Sequence, residues 1–297
     1  MDITFLLQIL INGLVVGSIY ALVATGFVII YKSSSSLNLA QGEFLMVGAY
    51  VCLHLVVSHK VPFAVALLAT MLITALLGIL IERIVLRPLL GSPVISVIMV
   101  TLGLASVLRA LLQIIFGVDT IPFPEVFSPE PMHIGPVAIS TAHLCSVASV
   151  TILLLALTSF FRFTRAGLAM RATASNRQTA ISMGISVKKM FALSWCIAAM
   201  VSAIGGVLLG TIRGGVDMSL GSMGLKVLPV VILGGMDSIG GAVLGGLIIG
   251  LLESVCGGYL DPLVGGGVKE VAPYIALVLI LMIHPSGLLG SRRIERV

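Results

Sequence analysis

The chain has 297 residues, of which 58% are hydrophobic and only 10% are charged, and its mean hydropathy is +1.19. A soluble domain carries about 25% charged residues, so this composition excludes an ordinary soluble fold and predicts an all-α, polytopic helical membrane protein. The net charge of +5 does not indicate nucleic-acid binding, because the basic residues border apolar stretches, where Lys and Arg set membrane orientation.

Nine apolar stretches are candidates for membrane-spanning helices, which need roughly 20 apolar residues each. In chain order they cover residues 5–31, 39–57, 62–86, 94–116, 143–161, 190–212, 225–235, 241–256 and 271–285. The stretch at 225–235 is short, about 17 Å long as a helix, and either spans or re-enters the membrane. The sequence therefore predicts about nine transmembrane segments, within a range of 8–10, in one transmembrane domain over residues 1–297.

Two polar stretches interrupt this pattern and set the predicted orientation. Residues 117–142 are rich in proline, a poor helix former, and are predicted to form an extracytoplasmic loop that includes Pro129, Pro131 and Pro136. Residues 162–189 are basic and contain no acidic residue, so they are predicted to be cytoplasmic. Alternating outward from that loop also places these basic residues inside: Lys32, Arg83, Arg87, Arg292, Arg293 and Arg296. The prediction is a multi-pass membrane protein with its N-terminus outside and its C-terminus in the cytoplasm.

The basic loop also has a pattern that charge alone does not explain. Small residues recur at i+3 or i+4 spacing, at Ala169, Ala172, Asn176, Ala180 and Gly184. This spacing predicts one short helix with a small-residue face, which would let another protein surface approach closely. The alternative is that the loop only enforces topology.

Polar residues inside membrane spans are costly and point to function. The candidates for a translocation path are Gln8, Asn12, Asn38, Gln41, Glu43 and Glu253. Gln8 and Asn12 share a helix face and either line a pore or hydrogen bond between helices. Glu43 lies near a helix N-terminus, where the helix dipole also favours a structural cap. Arg109 and Glu253 both fall in the outer halves of their helices and are predicted to pair.

Glycines spaced four apart predict close helix crossings. The pairs are Gly13/Gly17, Gly206/Gly210, Gly241/Gly245 and Gly246/Gly250. This pattern indicates packing and carries no chemistry.

Sequence motifs of hydrolytic enzymes are absent. The dipeptide Gly-Lys of a Walker A motif does not occur, and neither HExxH nor GxSxG is found. The histidines have no metal-ligand spacing, so the chain is expected to be neither an enzyme nor a metal or cofactor protein. Coupled carriers often show acidic or histidine relays in mid-helix, whereas Glu253 is the only acidic residue well inside a predicted span. This scarcity of acidic residues favours passive machinery driven by a partner protein. The alternative is a stand-alone secondary transporter or channel.

Several segments resemble one family of transport proteins. The segment GLAMRATASNRQTAISMGISVKKM at 167–190 is similar to the cytoplasmic loop of permeases of branched-chain amino acid ABC transporters. The stretches at 36–50, 82–93 and 234–253 and the ending HPSGLLG at 284–290 match the same family. The LivH-type subunit fits better than its LivM-type partner, because the longer extensions common on the latter are absent. The four serines at 33–36 and Arg109 depart from the family pattern.

The resemblance implies a permease of the bacterial inner membrane that is related to type II ABC importers and works by alternating access. It implies a second, LivM-like permease, with a homodimer left open, two cytoplasmic ATPase subunits that use the ATP, and a periplasmic substrate-binding protein. The ATPase-coupling residues would be Arg171, Ala172, Asn176, Arg177, Ala180 and Gly184. The implied substrates are branched-chain or hydrophobic amino acids, and related permeases take urea, short amides or aromatic acids.

Overall fold

Long apolar helices dominate the structure, a computed structural model that describes residues 3–127, 132–134 and 137–290. The first helices are α1 (Ile3–Ser34), α2 (Gln41–Val57), α3 (Phe63–Ile81), α4 (Val94–Phe116), α5 (Thr141–Phe163) and α6 (Arg165–Ser175). They are followed by α7 (Arg177–Ser182), α8 (Val187–Arg213), α9 (Met223–Gly234), α10 (Ile239–Val255), α11 (Asp261–Val264) and α12 (Val268–Ile283). The polytopic helical fold predicted from composition is confirmed.

Six helical segments in the described residues are long and apolar enough to cross a membrane. The apolar helices at Gln41–Val57 and Met218–Gly234 are shorter. The second of these begins with a 3-10 turn (Met218–Ser222) that leads into α9, so the helical run is longer than the predicted stretch at 225–235. The number of crossings, about nine from the sequence, stays a prediction.

Short antiparallel strands lie beside the helices. β1 (Ile121–Pro122) pairs with β4 (Gly215–Val216), and β2 (Met132–Ile134) pairs with β3 (Val137–Ile139). The first pair fastens the proline-rich segment to the end of α8. Some residues on which the loop and orientation predictions rest lie outside the described part of the chain: Pro129, Pro131, Pro136, Arg292, Arg293 and Arg296.

The helix α1 is the centre of the fold. Every residue from 19 to 30 is buried, and α1 packs against α8 on one side and α10 on another. Its apolar residues run all round the helix, a composition that requires burial on every face. In contrast, α4 and α5 leave large apolar side chains exposed, such as Ile114 and Ile152. Lipid tails would cover such a surface in a membrane.

Glycines bring the backbones of α1 and α10 into contact. A Cβ added to Gly17 would lie 2.7 Å from the carbonyl oxygen of Gly246, and one added to Gly13 would lie 3.0 Å from that of Gly250. Both gaps are too small for a side chain, so the predicted close crossing of these glycine pairs is found. Gly206 of α8 approaches the Leu45 carbonyl of α2 in the same way.

This crossing can be tested with one matched pair of alanine substitutions. Gly17→Ala is expected to cost about 1–3 kcal/mol, because the backbone it meets cannot move aside like a flexible side chain. Gly103→Ala is the control, since a Cβ at this α4 position meets nothing within 4 Å. Apparent unfolding temperature in detergent measures both; equal temperatures for the two variants would contradict the crossing.

Candidate functional site

The start of α2 is held to α8 by a buried amide cluster. The side chain of Gln41 donates to the Ser202 hydroxyl at 2.6 Å and to the Ala198 carbonyl at 3.3 Å, and it accepts a hydrogen bond from Asn38 at 3.0 Å. Asn38 also accepts from the Ala40 backbone N–H at 3.0 Å. Such groups are costly in an apolar interior unless paired. Asn38 and Gln41 therefore brace two helices, and neither lines either of the two large cavities described below.

Arg109 of α4 pairs with Glu43 of α2. The Arg109 Nη2 to Glu43 Oε1 distance is 2.6 Å, so the predicted partnership of Arg109 with Glu253 is wrong. The reason is topological, because α4 packs on α2 whereas α10 packs on α1. A Cβ added to Gly221, in the turn before α9, would lie 2.7 Å from Arg109 Nη2. The ion pair therefore packs directly against that turn. Glu43 does not cap α2, whose N-cap is Ala40 without a side-chain hydrogen bond.

Glu253 of α10 instead pairs with Tyr20 of α1. The Tyr20 hydroxyl donates to Glu253 Oε2 at 2.9 Å, and both side chains are buried. Sequence reasoning missed Tyr20, although a tyrosine in the middle of an apolar span was an available signal. Both residues line a cavity of about 670 Å³, here named the Glu253 cavity.

The Glu253 cavity lies between α1, α8, α9, α10 and α12. Arg213, Lys226, Lys269 and Glu270 contribute charged groups to its lining. Lys226 donates to Glu270 at 3.2 Å, so a salt bridge joins α9 to α12 there. An apolar helical protein that gathers this many charges in one cavity has a place for a polar ligand.

A second cavity of about 990 Å³, here named the Lys32 cavity, lies at the C-terminal end of α1. Its lining includes Tyr31, Lys32, Arg171 of α6, Ile232 of α9 and Ile283 of α12. The helices α1, α9 and α12 therefore contribute to both cavities. Tyr20 and Tyr31 are about 16 Å apart along α1 at 1.5 Å per residue, and the residues between them are buried.

Gln8, near the start of α1, fastens that helix to the strand β3. Its side-chain amide donates to the Ala138 carbonyl at 2.8 Å. Of the two predicted alternatives, hydrogen bonding rather than pore lining fits this contact, although the partner is a strand and not a helix. Asn12 is half-buried one turn further along α1.

The basic loop forms two helices rather than the single predicted one. Asn176 has an extended backbone (φ −151°, ψ 106°) between α6 and α7, and its side chain accepts from the Thr179 N–H at 3.0 Å. It therefore ends one helix and caps the next, as asparagine favours. The predicted continuous face is wrong: Ala180 is only 3% exposed, Ala172 is half-buried, and Asn176 and Gly184 are exposed.

The loop is attached to the end of α1. Arg177 Nη2 donates to the Ser33 carbonyl at 3.0 Å, and Met170 and Thr173 of α6 border a small cavity with Ile29 and Ser33. A guanidinium on the last carbonyls of a helix is favoured by the helix dipole. The four serines at 33–36 lie at the same end of α1. Ser34 Oγ donates to the Ile30 carbonyl at 2.8 Å, and Ser35 takes φ +58°. They form the turn from α1 to α2.

These features define a multi-pass helical membrane protein whose central helix lines two polar cavities, an arrangement suited to transport. Residues 9–284 match the family model described as branched-chain amino acid transport system / permease component. The chain belongs to this family of membrane permeases, which confirms the resemblance drawn from its segments.

Curated relatives match along nearly the whole chain. It is 30% identical to the high-affinity branched-chain amino acid transport system permease protein LivH of Escherichia coli (strain K12), over 99% of this chain and 98% of that protein. It is 32% identical to the corresponding permease protein BraD of Pseudomonas aeruginosa, over 100% and 99%. A probable branched-chain amino acid transport permease LivH of Methanocaldococcus jannaschii is 27% identical, over 95% and 92%. The chain is accordingly a multi-pass protein of the inner membrane that works with ATPase and binding-protein partners.

The Arg109–Glu43 assignment can be tested with a double-mutant cycle. Arg109→Leu leaves a buried carboxylate without its partner and is expected to cost about 2–3 kcal/mol. Adding Glu43→Gln should recover part of that loss, because the two groups interact directly.

The combination of Arg109→Leu with Glu253→Gln is the control and should give additive losses. Apparent unfolding temperature in detergent measures all variants. Recovery with the Glu253 variant instead of the Glu43 variant would support pairing of Arg109 with Glu253 and contradict the Arg109–Glu43 ion pair.

Proposed function

We propose that this chain is the permease subunit of an ABC importer, through which amino acids cross the membrane by alternating access. The observation that carries the proposal is that α1 lines one cavity at its middle and a second at its C-terminal end, where it is also attached to the basic loop. In alternating access, one end of a path opens while the other closes. Because one buried helix borders both cavities, a single movement of that helix can open one cavity while it closes the other.

The basic loop, residues 162–189, is the proposed ATPase-docking segment. The exposed residues of its two helices include Arg171, Asn176, Arg177 and Gly184. Closure of the ATPases would press on α6 and α7, and the Arg177 to Ser33 hydrogen bond would carry that displacement to α1. Ala180 points inward, so its role is to seat α7 rather than to touch the ATPase.

The energy and much of the selectivity would come from other chains. The proposal includes a LivM-like second permease, two cytoplasmic ATPase subunits that bind and hydrolyse the ATP, and a periplasmic binding protein. The chain itself would act without a cofactor, without enzymatic turnover and without nucleic acid. Its N-terminus would lie outside and its C-terminus in the cytoplasm, as the distribution of basic residues favours.

The proposed substrates are branched-chain amino acids. The relatives from Escherichia coli and Pseudomonas aeruginosa carry that substrate in their names. Urea, short amides and aromatic acids are the alternatives, to be separated by binding assays on the partner binding protein.

Coupling can be tested at Arg177. Arg177→Gln replaces the guanidinium that donates to Ser33 with a shorter, neutral amide, so uptake of leucine by the assembled transporter should fall by about tenfold, as expected for loss of a charged hydrogen bond. ATP hydrolysis by the partner subunits should persist, because the ATPases themselves are unchanged.

Lys189→Gln is the matched control, since it removes one positive charge from the same loop at an exposed position. It should leave uptake unchanged. Equal losses in the two variants would mean that loop charge, not the contact with α1, sustains transport. Uptake by this chain alone in vesicles would instead favour a stand-alone carrier.

Orientation can be tested by fusing a reporter after Val297. A phosphatase that folds only outside the cytoplasm should be inactive there, and a fluorescent protein that matures in the cytoplasm should be bright. The opposite pattern would require an even number of crossings, or an N-terminus inside the cell.

A further inference from the structure

The Glu253 cavity combines charge of both signs with an apolar wall. Glu253 lies on α10, Arg213 at the end of α8, and Val16, Leu209 and Ile212 on α1 and α8. Its volume of about 670 Å³ lies within the roughly 300–1,000 Å³ of small-molecule sites.

Glu253 is the buried acceptor of this cavity. The residue is only 3% exposed, and its Oε2 receives the Tyr20 hydroxyl at 2.9 Å. Its Oε1 receives no hydrogen bond from the described part of the chain. A buried carboxylate oxygen without a donor is costly, and a ligand ammonium would supply the missing donor.

Arg213, like Lys269, is a cation of this cavity that makes no salt bridge in the described part of the chain. Within the described residues its guanidinium makes one hydrogen bond, 3.5 Å to the Met223 sulfur, which is a weak acceptor. The Tyr20 hydroxyl lies 4.0 Å from the same sulfur atom. Arg213, Met223, Tyr20 and Glu253 therefore follow one another around the cavity. Lys226, in contrast, is already bonded to Glu270.

We infer that the Glu253 cavity is a binding site for a zwitterionic amino acid with an apolar side chain, an inference that rests on the proposed function. Glu253 accepts from the α-ammonium group, the Arg213 guanidinium donates to the α-carboxylate, and the apolar wall contacts the side chain. The opposite charges of Glu253 and Arg213 fix the orientation of the ligand. A neutral amide such as urea leaves both charges unpaired and binds poorly.

The test compares three probes on the transporter assembled with its partner permease and ATPases in lipid nanodiscs, without the binding protein. Leucine carries both charges, 4-methylpentanoate lacks the ammonium group, and 3-methylbutylamine lacks the carboxylate. Saturation-transfer NMR measures their affinities. The unaltered assembly should bind leucine at least about tenfold more tightly than either analogue, the effect of one charged hydrogen bond.

Two variants then test which residue contacts each charged group of the ligand. Glu253→Gln should lower leucine affinity about tenfold and leave 4-methylpentanoate affinity unchanged, because that probe never used the carboxylate. Arg213→Gln should lower leucine affinity and leave 3-methylbutylamine affinity unchanged. Asp119→Asn, which removes an exposed carboxylate outside the cavity, is the control and should bind all three probes as before.

Unchanged leucine affinity in both variants, or an equal loss for all three probes, would overturn the inference while leucine uptake still supported the proposed function. An unaltered chain that neither co-purifies with the ATPases nor binds leucine would overturn both.

Discussion

Direct contact between helix backbones is the constraint on which the rest of this structure depends. In a membrane, lipid tails solvate apolar side chains as well as other helices do, so association relies on close packing. Gly17 and Gly13 of α1 meet Gly246 and Gly250 of α10 with no room for a Cβ. The α1 residues 21–30 are buried within the protein. Space for a ligand is found on either side of this stretch, in the Glu253 cavity beside Tyr20 and in the Lys32 cavity beside Lys32.

Buried polar groups follow from the same constraint. Gln41 has two partners on α8, and Glu43 has Arg109, so both use polarity to hold helices that apolar contacts alone would not orient. Glu43 Oε2 and Glu253 Oε1 both receive no hydrogen bond from the described residues. Of these two residues, Glu253 alone borders one of the two large cavities, and it makes no salt bridge to a described residue. A buried carboxylate oxygen without a donor points to a ligand where a cavity gives the ligand room.

The sequence predicted what depends on neighbouring residues along the chain. Apolar runs gave the helices, glycine spacing gave the crossings, and matching segments gave the family. It failed for Arg109, because a charge pair depends on which helices are adjacent, and spacing within one helix carries no such information. It also failed at Asn176, where a pattern of small residues was followed through an asparagine that favours a helix start. The burial of Ala180 was missed for the same reason, since the break turns α7 onto a new face.

Of the helices that line both cavities, α9 and α12 each carry a proline inside the helix, Pro229 and Pro273. Pro229 lacks the N–H that would donate to the Leu225 carbonyl. Gly235, the residue after α9, takes φ +105°, where other residues would be strained. By contrast, α1 has no proline, is buried through its middle and is fixed to α10 through glycines. In the proposed alternating cycle the rigid α1 would transmit displacement from the loop, and the proline-containing α9 and α12 would bend to close one cavity as the other opens.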